Sequence, residues 1–163
     1  MATTKLHSVN VAQARKIMSN IVDRRKTIDG ILIQTYACSR NPDQAKKDFL
    51  DVRNSIGTGR GKIFAQHIIQ SFKTNEITPE KAFEIGSELC DKFLKFEYQF
   101  LFAVHTDMKN IHCHILFNNV NMVNGKTFET LEDRGKKSWK TLRRISDEIC
   151  QKHGLSVIEN MRV

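Results

Sequence analysis

The sequence has no long apolar run and no recognisable targeting segment. No stretch within its 163 residues approaches the ~18 consecutive apolar residues that a membrane-spanning helix needs. Residues 1–5 lack the apolar core of a secretory signal peptide, and internal repeats and low-complexity tracts are absent. These absences exclude an integral membrane protein with helical spans, and the length predicts a single domain over residues 1–163.

Closely spaced cysteines are missing as well. The four cysteines, Cys38, Cys90, Cys113 and Cys150, stand far apart, which argues against both a zinc knuckle and a disulfide framework. We expect them to be small, buried, hydrophobic side chains. Together with the missing signal peptide, the unpaired cysteines favour a reducing, cytoplasmic location.

Acidic residues are fewer than basic ones. The 18 Asp and Glu face 26 Lys and Arg, which gives a formal net charge of +8. Such an excess indicates a polyanionic partner, and nucleic acid is the first candidate. Three basic clusters could bind a DNA backbone without reading its sequence, although each could equally be a solvated surface. The clusters are Arg24, Arg25 and Lys26; Arg60 and Lys62; and Arg134, Lys136, Lys137, Lys140, Arg143 and Arg144.

Apolar periodicity predicts four helices and four strands. The helices lie at 11–21, 42–56, 79–93 and 136–152, and the strands begin at Ile31 and lie at 63–72, 96–104 and 111–120. The short polar turn at 107–110 joins the last two strands, which indicates an antiparallel hairpin. The order α-β-α-β-α-β-β-α predicts an α+β domain with an antiparallel sheet packed against helices.

Three of the six histidines lie within ten residues, at positions 105, 112 and 114. Because side chains alternate along a strand, His112 and His114 must point to one face, while Cys113 and its apolar neighbours point to the other. The antiparallel hairpin brings His105 beside them. Three imidazoles can then converge on one cation with coordination positions left open for a substrate.

The chemistry expected of such a metal on a basic protein is phosphodiester cleavage, because a divalent ion can offset the charge that develops at phosphorus. Asp107 and Asn118 are candidates for orienting the imidazoles or contacting the substrate. The alternative is a set of hydrogen-bonded histidines on a solvated strand. For His67, on the second predicted strand, both a structural role and a site role are open.

The pattern His105-x-Asp107 followed by His112-x-His114-x-x-x-Asn118 resembles the three-histidine motif of MobA/MobL, or MOBP-type, mobilisation relaxases. The resemblance extends over nearly the whole chain. It includes Tyr36-Ala37-Cys38, Gln70-Ser71-Phe72-Lys73, Ile77-Thr78-Pro79-Glu80, Ile85-Gly86 and Asn124-Gly125-Lys126-Thr127-Phe128. It implies an HUH-endonuclease fold, with a central antiparallel sheet flanked by helices and carrying the histidines.

The resemblance also implies an activity. A relaxase of this kind is a metal-dependent, site- and strand-specific DNA nickase and transesterase that acts at an origin of transfer during plasmid or conjugative-element mobilisation. The implied cofactor is a divalent metal ion, with Mg²⁺ or Mn²⁺ as the first candidates and other divalent ions as alternatives. The implied partners are single-stranded DNA, origin hairpin DNA, accessory relaxosome proteins and a coupling protein, in a bacterial cytoplasm without membrane insertion. Residues 1–163 would be the N-terminal nuclease portion of a longer protein.

One departure from the family concerns the nucleophile. The resemblance implies a tyrosine near the end of the first helix, around Asn20, but residues 1–35 contain no tyrosine. Three explanations stay open: Tyr36 attacks instead, His7 attacks instead, or the nucleophile is absent. Two other functions also remain, a rolling-circle replication initiator that uses the same motif and a DNA-binding module without nicking activity.

Overall fold

The computed structural model describes residues 2–58, 61–128 and 136–157. Within these ranges the chain forms five strands and four helices. In chain order they are β1 (Thr3–Asn10), α1 (Val11–Ile21), β2 (Ile33–Tyr36), α2 (Pro42–Ile56), β3 (Ile63–Ser71), α3 (Pro79–Leu94), β4 (Phe100–His105), β5 (His112–Asn118) and α4 (Lys136–Lys152).

The helices begin where the sequence supplies N-terminal capping groups. The Asn10 side chain accepts from the backbone N–H of Gln13, whose own side chain accepts from the Asn10 backbone N–H, which is a capping box at the start of α1. Both prolines of the chain, Pro42 and Pro79, open helices, where the missing N–H has no helical partner to lose. α3 ends at Lys95, which has a left-handed backbone.

The five strands form one sheet in the order β1-β3-β5-β4-β2, and all neighbouring strands are antiparallel. β5 therefore lies at the centre, between β3 and β4. Its odd-numbered residues, Cys113, Ile115 and Phe117, pack with the core that α3 and α4 cover. Leu116 packs on the other face, in the core beneath α1 and α2. The predicted alternation along this strand is confirmed.

The sequence-based elements agree with the structure apart from one missed strand and the bounds of several others. β2 begins at Ile33 and not at Ile31, which lies in a turn, and β5 covers His112–Asn118 and not 111–120. β1 was not predicted, because it is an edge strand of mostly polar residues in which only Thr4 and Val9 are buried. β4 begins at Phe100 and not at Phe96, since Lys95 and Phe96 have positive φ angles of 54° and 60° that turn the chain before the strand. The α+β class and the antiparallel sheet are confirmed.

The cysteines are free thiols, as expected; Cys90, Cys113 and Cys150 are buried and Cys38 is half-buried. Across the described ranges, the helices are all too short or too polar to cross a membrane.

A glycine sets the distance between α3 and the sheet. A Cβ added at Gly86 would lie 2.3 Å from Cζ of Phe102, 2.6 Å from its Cε2 and 3.0 Å from Sγ of Cys113. These atoms belong to fully buried side chains of β4 and β5. The helix can therefore approach the sheet this closely only without a side chain at position 86.

We expect Gly86→Ala to destabilise the fold by about 1–3 kcal/mol, because the extra methyl group overpacks a closed core. Urea denaturation followed by circular dichroism measures this change. Gly61→Ala is the matched control, since a Cβ there meets nothing closer than 4.0 Å. Equal midpoints for the wild type and Gly86→Ala would show that the packing is looser than described.

An ionic cluster around Glu88, which lies within α3, joins this helix to the C-terminal end of α4. Its carboxylate accepts from Nζ of Lys152 at 2.7 Å and from Nε2 of His153 at 2.9 Å. The hydrogen bonds from Lys152 and then His153 lower the pKa of Glu88 from its ordinary value of 4.5 to about 2. The folded state thus favours the ionised carboxylate.

We expect Glu88→Gln to lower the Tm by roughly 2–4 °C at pH 7. Because the pKa of Glu88 is depressed in the folded state, its contribution is present above pH 4.5 and is lost as the pH falls towards 2. The difference in Tm between wild type and variant should therefore shrink over that interval. Glu84→Gln, which removes an exposed carboxylate paired with Lys81, should change little. A difference that stays constant down to pH 2 contradicts this assignment.

Candidate functional site

Most of the histidines of the chain share one face of the sheet. His105 pairs with His112, and His114 pairs with Ala103, which packs in the core beneath α1 and α2. His67 pairs with Leu116 of the same core. Because directly paired residues point to the same side, the register places five of the six histidines on this face. They are His7, His67, His105, His112 and His114, which we call the histidine face.

The three histidines of the sequence motif form its centre. The rings of His105 and His114 have centroids 4.2 Å apart, and those of His112 and His114 are 6.0 Å apart. The predicted hairpin and the shared face are thus confirmed. In the described part of the chain, however, no three His, Cys, Asp or Glu side chains are already arranged as a set of metal ligands. The assignment of a metal to this trio stays a prediction.

Two of the three rings use one nitrogen in a protein hydrogen bond. Nε2 of His105 donates to the backbone carbonyl of Ile21 at 2.9 Å, and Nδ1 of His114 lies 3.0 Å from Nε2 of His67. A neutral imidazole has one N–H and one lone pair. Nδ1 of His105 therefore carries a lone pair that could bind a cation, and Nε2 of His114 is not engaged by His67.

Burial keeps these imidazoles neutral. It lowers the pKa of His105 and of His112, and it lowers the pKa of His114 to about 2 and of His67 to about 4. Repulsion between neighbouring imidazolium charges adds to the effect at His114. At neutral pH the rings are uncharged, which is the form that binds metals.

Both acidic and basic side chains act electrostatically on the three motif histidines. The carboxylate of Asp107 opposes the fall in the pKa of His105 and of His112. Lys26 acts in the opposite sense on His105 and His114, and Lys5 does so on His112. Two ammonium groups and one carboxylate thus lie within electrostatic range. Lys5 was not a predicted site residue; it shares a face with His7 on β1, and its role could be seen only once that strand was known.

The C-terminal end of α1 lies against the histidine face, because the carbonyl of Ile21 accepts from His105. Asn20, in the last turn of the helix, is exposed and accepts a hydrogen bond from Nζ of Lys26. The position where the family resemblance implies a nucleophilic tyrosine is thus beside the histidines. It holds an amide, which is not a nucleophile.

Neither tyrosine of the chain lies on the histidine face. Tyr36 pairs with Phe100, at the opposite end of β4 from His105, which is about 17 Å along the strand. Its ring stacks on Phe100 with centroids 5.7 Å apart, and its hydroxyl donates to the carbonyl of Phe96 at 3.4 Å. Tyr98 packs against the same core. The position of Tyr36 does not support its prediction as nucleophile.

His7, unlike Tyr36, lies on the histidine face, where a nucleophile could reach a bound phosphate. It lies on β1 directly opposite His67, and its side chain is exposed on the histidine face. Of these two candidates for the nucleophile, the position of His7 is compatible with the role and that of Tyr36 is not. Whether His7 attacks phosphorus stays a prediction.

Asn118 lies away from the three histidines, at the far end of β5. Its side chain is fully buried and donates to the carbonyl of Phe49 at 3.1 Å and to Oε1 of Gln99 at 2.8 Å. Its own oxygen accepts from the backbone N–H of Val120 at 3.1 Å. The amide is used in holding the strand end to α2, so its position does not support contact with a substrate.

The predicted basic residues divide among three places. Lys26, with Arg24 and Arg25 in the same turn, borders the histidine face, although Arg24 is paired with Asp29 and Arg25 with Asp23. Lys62 lies before β3, at the other end of the sheet. The side chains of Lys137, Lys140, Arg143 and Arg144 belong to α4, which covers the opposite face. Arg60, Arg134 and the side chain of Lys136 lie outside the described residues.

Comparison with known proteins identifies the family of this chain. Residues 16–155 match the model of the relaxase family described as MobA/VirD2-like, nuclease domain. The chain belongs to this family, which confirms the resemblance seen in its motifs.

Curated proteins that are similar to this chain include proteins named rlx and one named as a relaxase. Two proteins named rlx from Staphylococcus aureus are 34% and 33% identical over 159 residues, which are 98% of this chain and 46% and 44% of those proteins. The group II intron-interrupted relaxase LtrB of Lactococcus lactis is 35% identical over 107 residues, 60% of this chain and 19% of LtrB. The chain thus spans less than half the length of the rlx proteins.

Three solved structures have a fold similar to that of this chain. A MobM relaxase domain described as bound to pMV158 oriT DNA and to Mn superposes with a TM-score of 0.71 at 12% identity, covering 98% of this chain and 90% of MobM. A second MobM complex, with 26-nucleotide oriT DNA, gives 0.69 at 11% identity over 96% and 89%. A structure concerning vancomycin resistance transfer in Staphylococcus aureus gives 0.61 at 14% identity over 100% and 99%. These likenesses confirm the predicted HUH-like fold.

Proposed function

We propose that this chain is the nicking domain of a mobilisation relaxase. It would act as a metal-dependent, site- and strand-specific DNA nickase and transesterase at the origin of transfer of a plasmid or conjugative element. The observation that carries the proposal is the meeting of His105, His112 and His114 on one sheet face beneath the end of α1. Membership of the relaxase nuclease family supports the choice of substrate and reaction.

Three neutral imidazoles can coordinate a divalent ion, and we propose Mg²⁺ or Mn²⁺, with other divalent ions as alternatives because imidazole also suits softer metals. The imidazoles are neutral, and Nδ1 of His105 and Nε2 of His114 are left free by the hydrogen bonds that the rings make. A bound ion would polarise a phosphate oxygen and offset the charge that develops during attack. The carboxylate of Asp107 favours positive charge at His105 and His112, and it would favour a cation bound between these rings in the same way. The MobM structure described as Mn-bound supports Mn²⁺ as the first ion to test.

The DNA would cross the histidine face as a single strand. Lys5 lies within electrostatic range of His112, and Lys26 of His105 and His114. These two lysines would bind the phosphates that flank the scissile one. The MobM complexes with oriT DNA support an origin of transfer, with its hairpin, as the partner. Accessory relaxosome proteins and a coupling protein, in a bacterial cytoplasm, complete the proposed setting.

The covalent step is assigned to His7. Attack by one of its ring nitrogens would form a P–N bond as the bond from phosphorus to the 3′ oxygen breaks, and that oxygen would take a proton and leave as a hydroxyl. A second candidate function is origin binding without a covalent step. It is favoured by the two tyrosines, which both lie away from the histidine face.

We expect the protein to cleave a labelled single-stranded oligonucleotide from the transfer origin of its own element in the presence of Mn²⁺. His112→Ala should lower the cleavage rate by about 100-fold or more, because the phosphate loses its charge stabilisation. His153→Ala is the control, since this histidine follows α4 and contacts Glu88. A denaturing gel separates cleavage with a covalent adduct from binding alone.

The outcomes of this assay distinguish the proposed relaxase activity from its alternatives. Equal cleavage by His112→Ala refutes the metal assignment. Binding without an adduct supports the second candidate function. Site-specific cleavage at a replication origin and not at the transfer origin would identify a rolling-circle initiator.

We also expect Asn20→Tyr to form a DNA adduct at position 20. The new hydroxyl would stand beside the histidine face, and correct placement should raise adduct formation about tenfold or more above that of the wild type. Ser19→Tyr is the matched control, because the preceding residue points about 100° further round the helix. Mass spectrometry of the trapped product identifies the modified residue. Equal yields from the two variants would show that a hydroxyl at position 20 is not placed to reach the scissile phosphate.

A further inference from the structure

His67 is the histidine that the sequence motif leaves out. It lies on β3, next to the central strand, and its half-buried ring points to the histidine face. Its partner across the strands is Leu116, so His114 is its diagonal neighbour. The two rings have centroids 5.2 Å apart with 33° between their planes, and Nε2 of His67 lies 3.0 Å from Nδ1 of His114.

The residues directly opposite His114 are Ile69 on β3 and Ala103 on β4, and neither side chain can form a hydrogen bond. The His114 ring also packs against the His105 ring, with centroids 4.2 Å apart, but His105 uses Nε2 to donate to the carbonyl of Ile21. The hydrogen bond to the His114 ring comes from His67, so this contact contributes to the orientation of the ring. A buried imidazole N–H without a partner would cost about 1–3 kcal/mol.

The direction of this hydrogen bond decides whether His114 can bind a cation. If Nε2 of His67 donates, His114 must carry its own proton on Nε2, and that nitrogen has no lone pair to offer. If Nδ1 of His114 donates, its Nε2 keeps the lone pair. Only one hydrogen atom can lie between two nitrogens 3.0 Å apart, so in a pair of neutral imidazoles one of these two arrangements must hold.

We propose that His67 is a positioning residue, which accepts a hydrogen bond from Nδ1–H of His114 and thereby presents Nε2 of His114 to the metal. This inference rests on the proposed metal site. His67 does not touch the ion or the DNA. It acts through His114, by fixing the tautomer and the orientation of that ring in the way that partners of metal-binding histidines do.

The test compares two substitutions at this position. His67→Leu keeps the volume and removes the acceptor, and it should weaken Mn²⁺ binding, measured by titration calorimetry, by about 10–100-fold. His67→Gln places an amide oxygen near the position of Nε2 and should restore affinity to within about threefold of the wild type. His153→Gln controls for the loss of a histidine elsewhere. Circular dichroism of the metal-free variants shows that they are folded.

A second measurement does not need the metal. The ¹⁵N–¹H correlation spectrum of the metal-free wild type should show His114 protonated on Nδ1, and His67→Leu should lose this preference. Equal Mn²⁺ affinity in the wild type and His67→Leu overturns the inference, and so does a wild-type His114 protonated on Nε2. A wild type that binds no Mn²⁺ refutes the metal site itself, while the spectrum still tests the hydrogen bond.

Discussion

The pairing of β4 with β5 is the constraint on which the site depends. Because His105 lies directly opposite His112, and His114 follows two residues later, strand alternation alone puts the three imidazoles on one face. A shift of one residue in this register would turn His112 and His114 into the core that Cys113 and Phe117 occupy. The apolar packing beneath α3 therefore holds the histidines in place from the opposite side of the sheet.

The surroundings of these histidines come from elements far apart in the chain. The end of α1 supplies the carbonyl that fixes His105, and β3 supplies His67 beside His114. β1 adds His7 and Lys5 at the edge of the sheet. Hydrogen bonds from backbone and side chain thus orient rings that burial keeps neutral, which is the form in which imidazoles bind metals.

Local patterns in the sequence predicted the central part of the fold and of the site. Helix α1, helix α4 and the β4–β5 hairpin follow from apolar spacing and a short polar turn, and the shared face of His112 and His114 follows from alternation. Long-range pairing could not be predicted in this way. The polar edge strand β1 had no clear pattern, so Lys5 was missed, and the hydrogen bonds that bury Asn118 beside Phe49 depend on α2 packing over the strand end.

The central claim is that the three motif histidines hold a divalent ion. Anomalous diffraction from crystals grown with Mn²⁺ tests it most directly. The account predicts one strong peak on the histidine face, bonded by ring nitrogens of His105, His112 and His114. No peak at saturating Mn²⁺, or a peak bonded by other side chains, would contradict it.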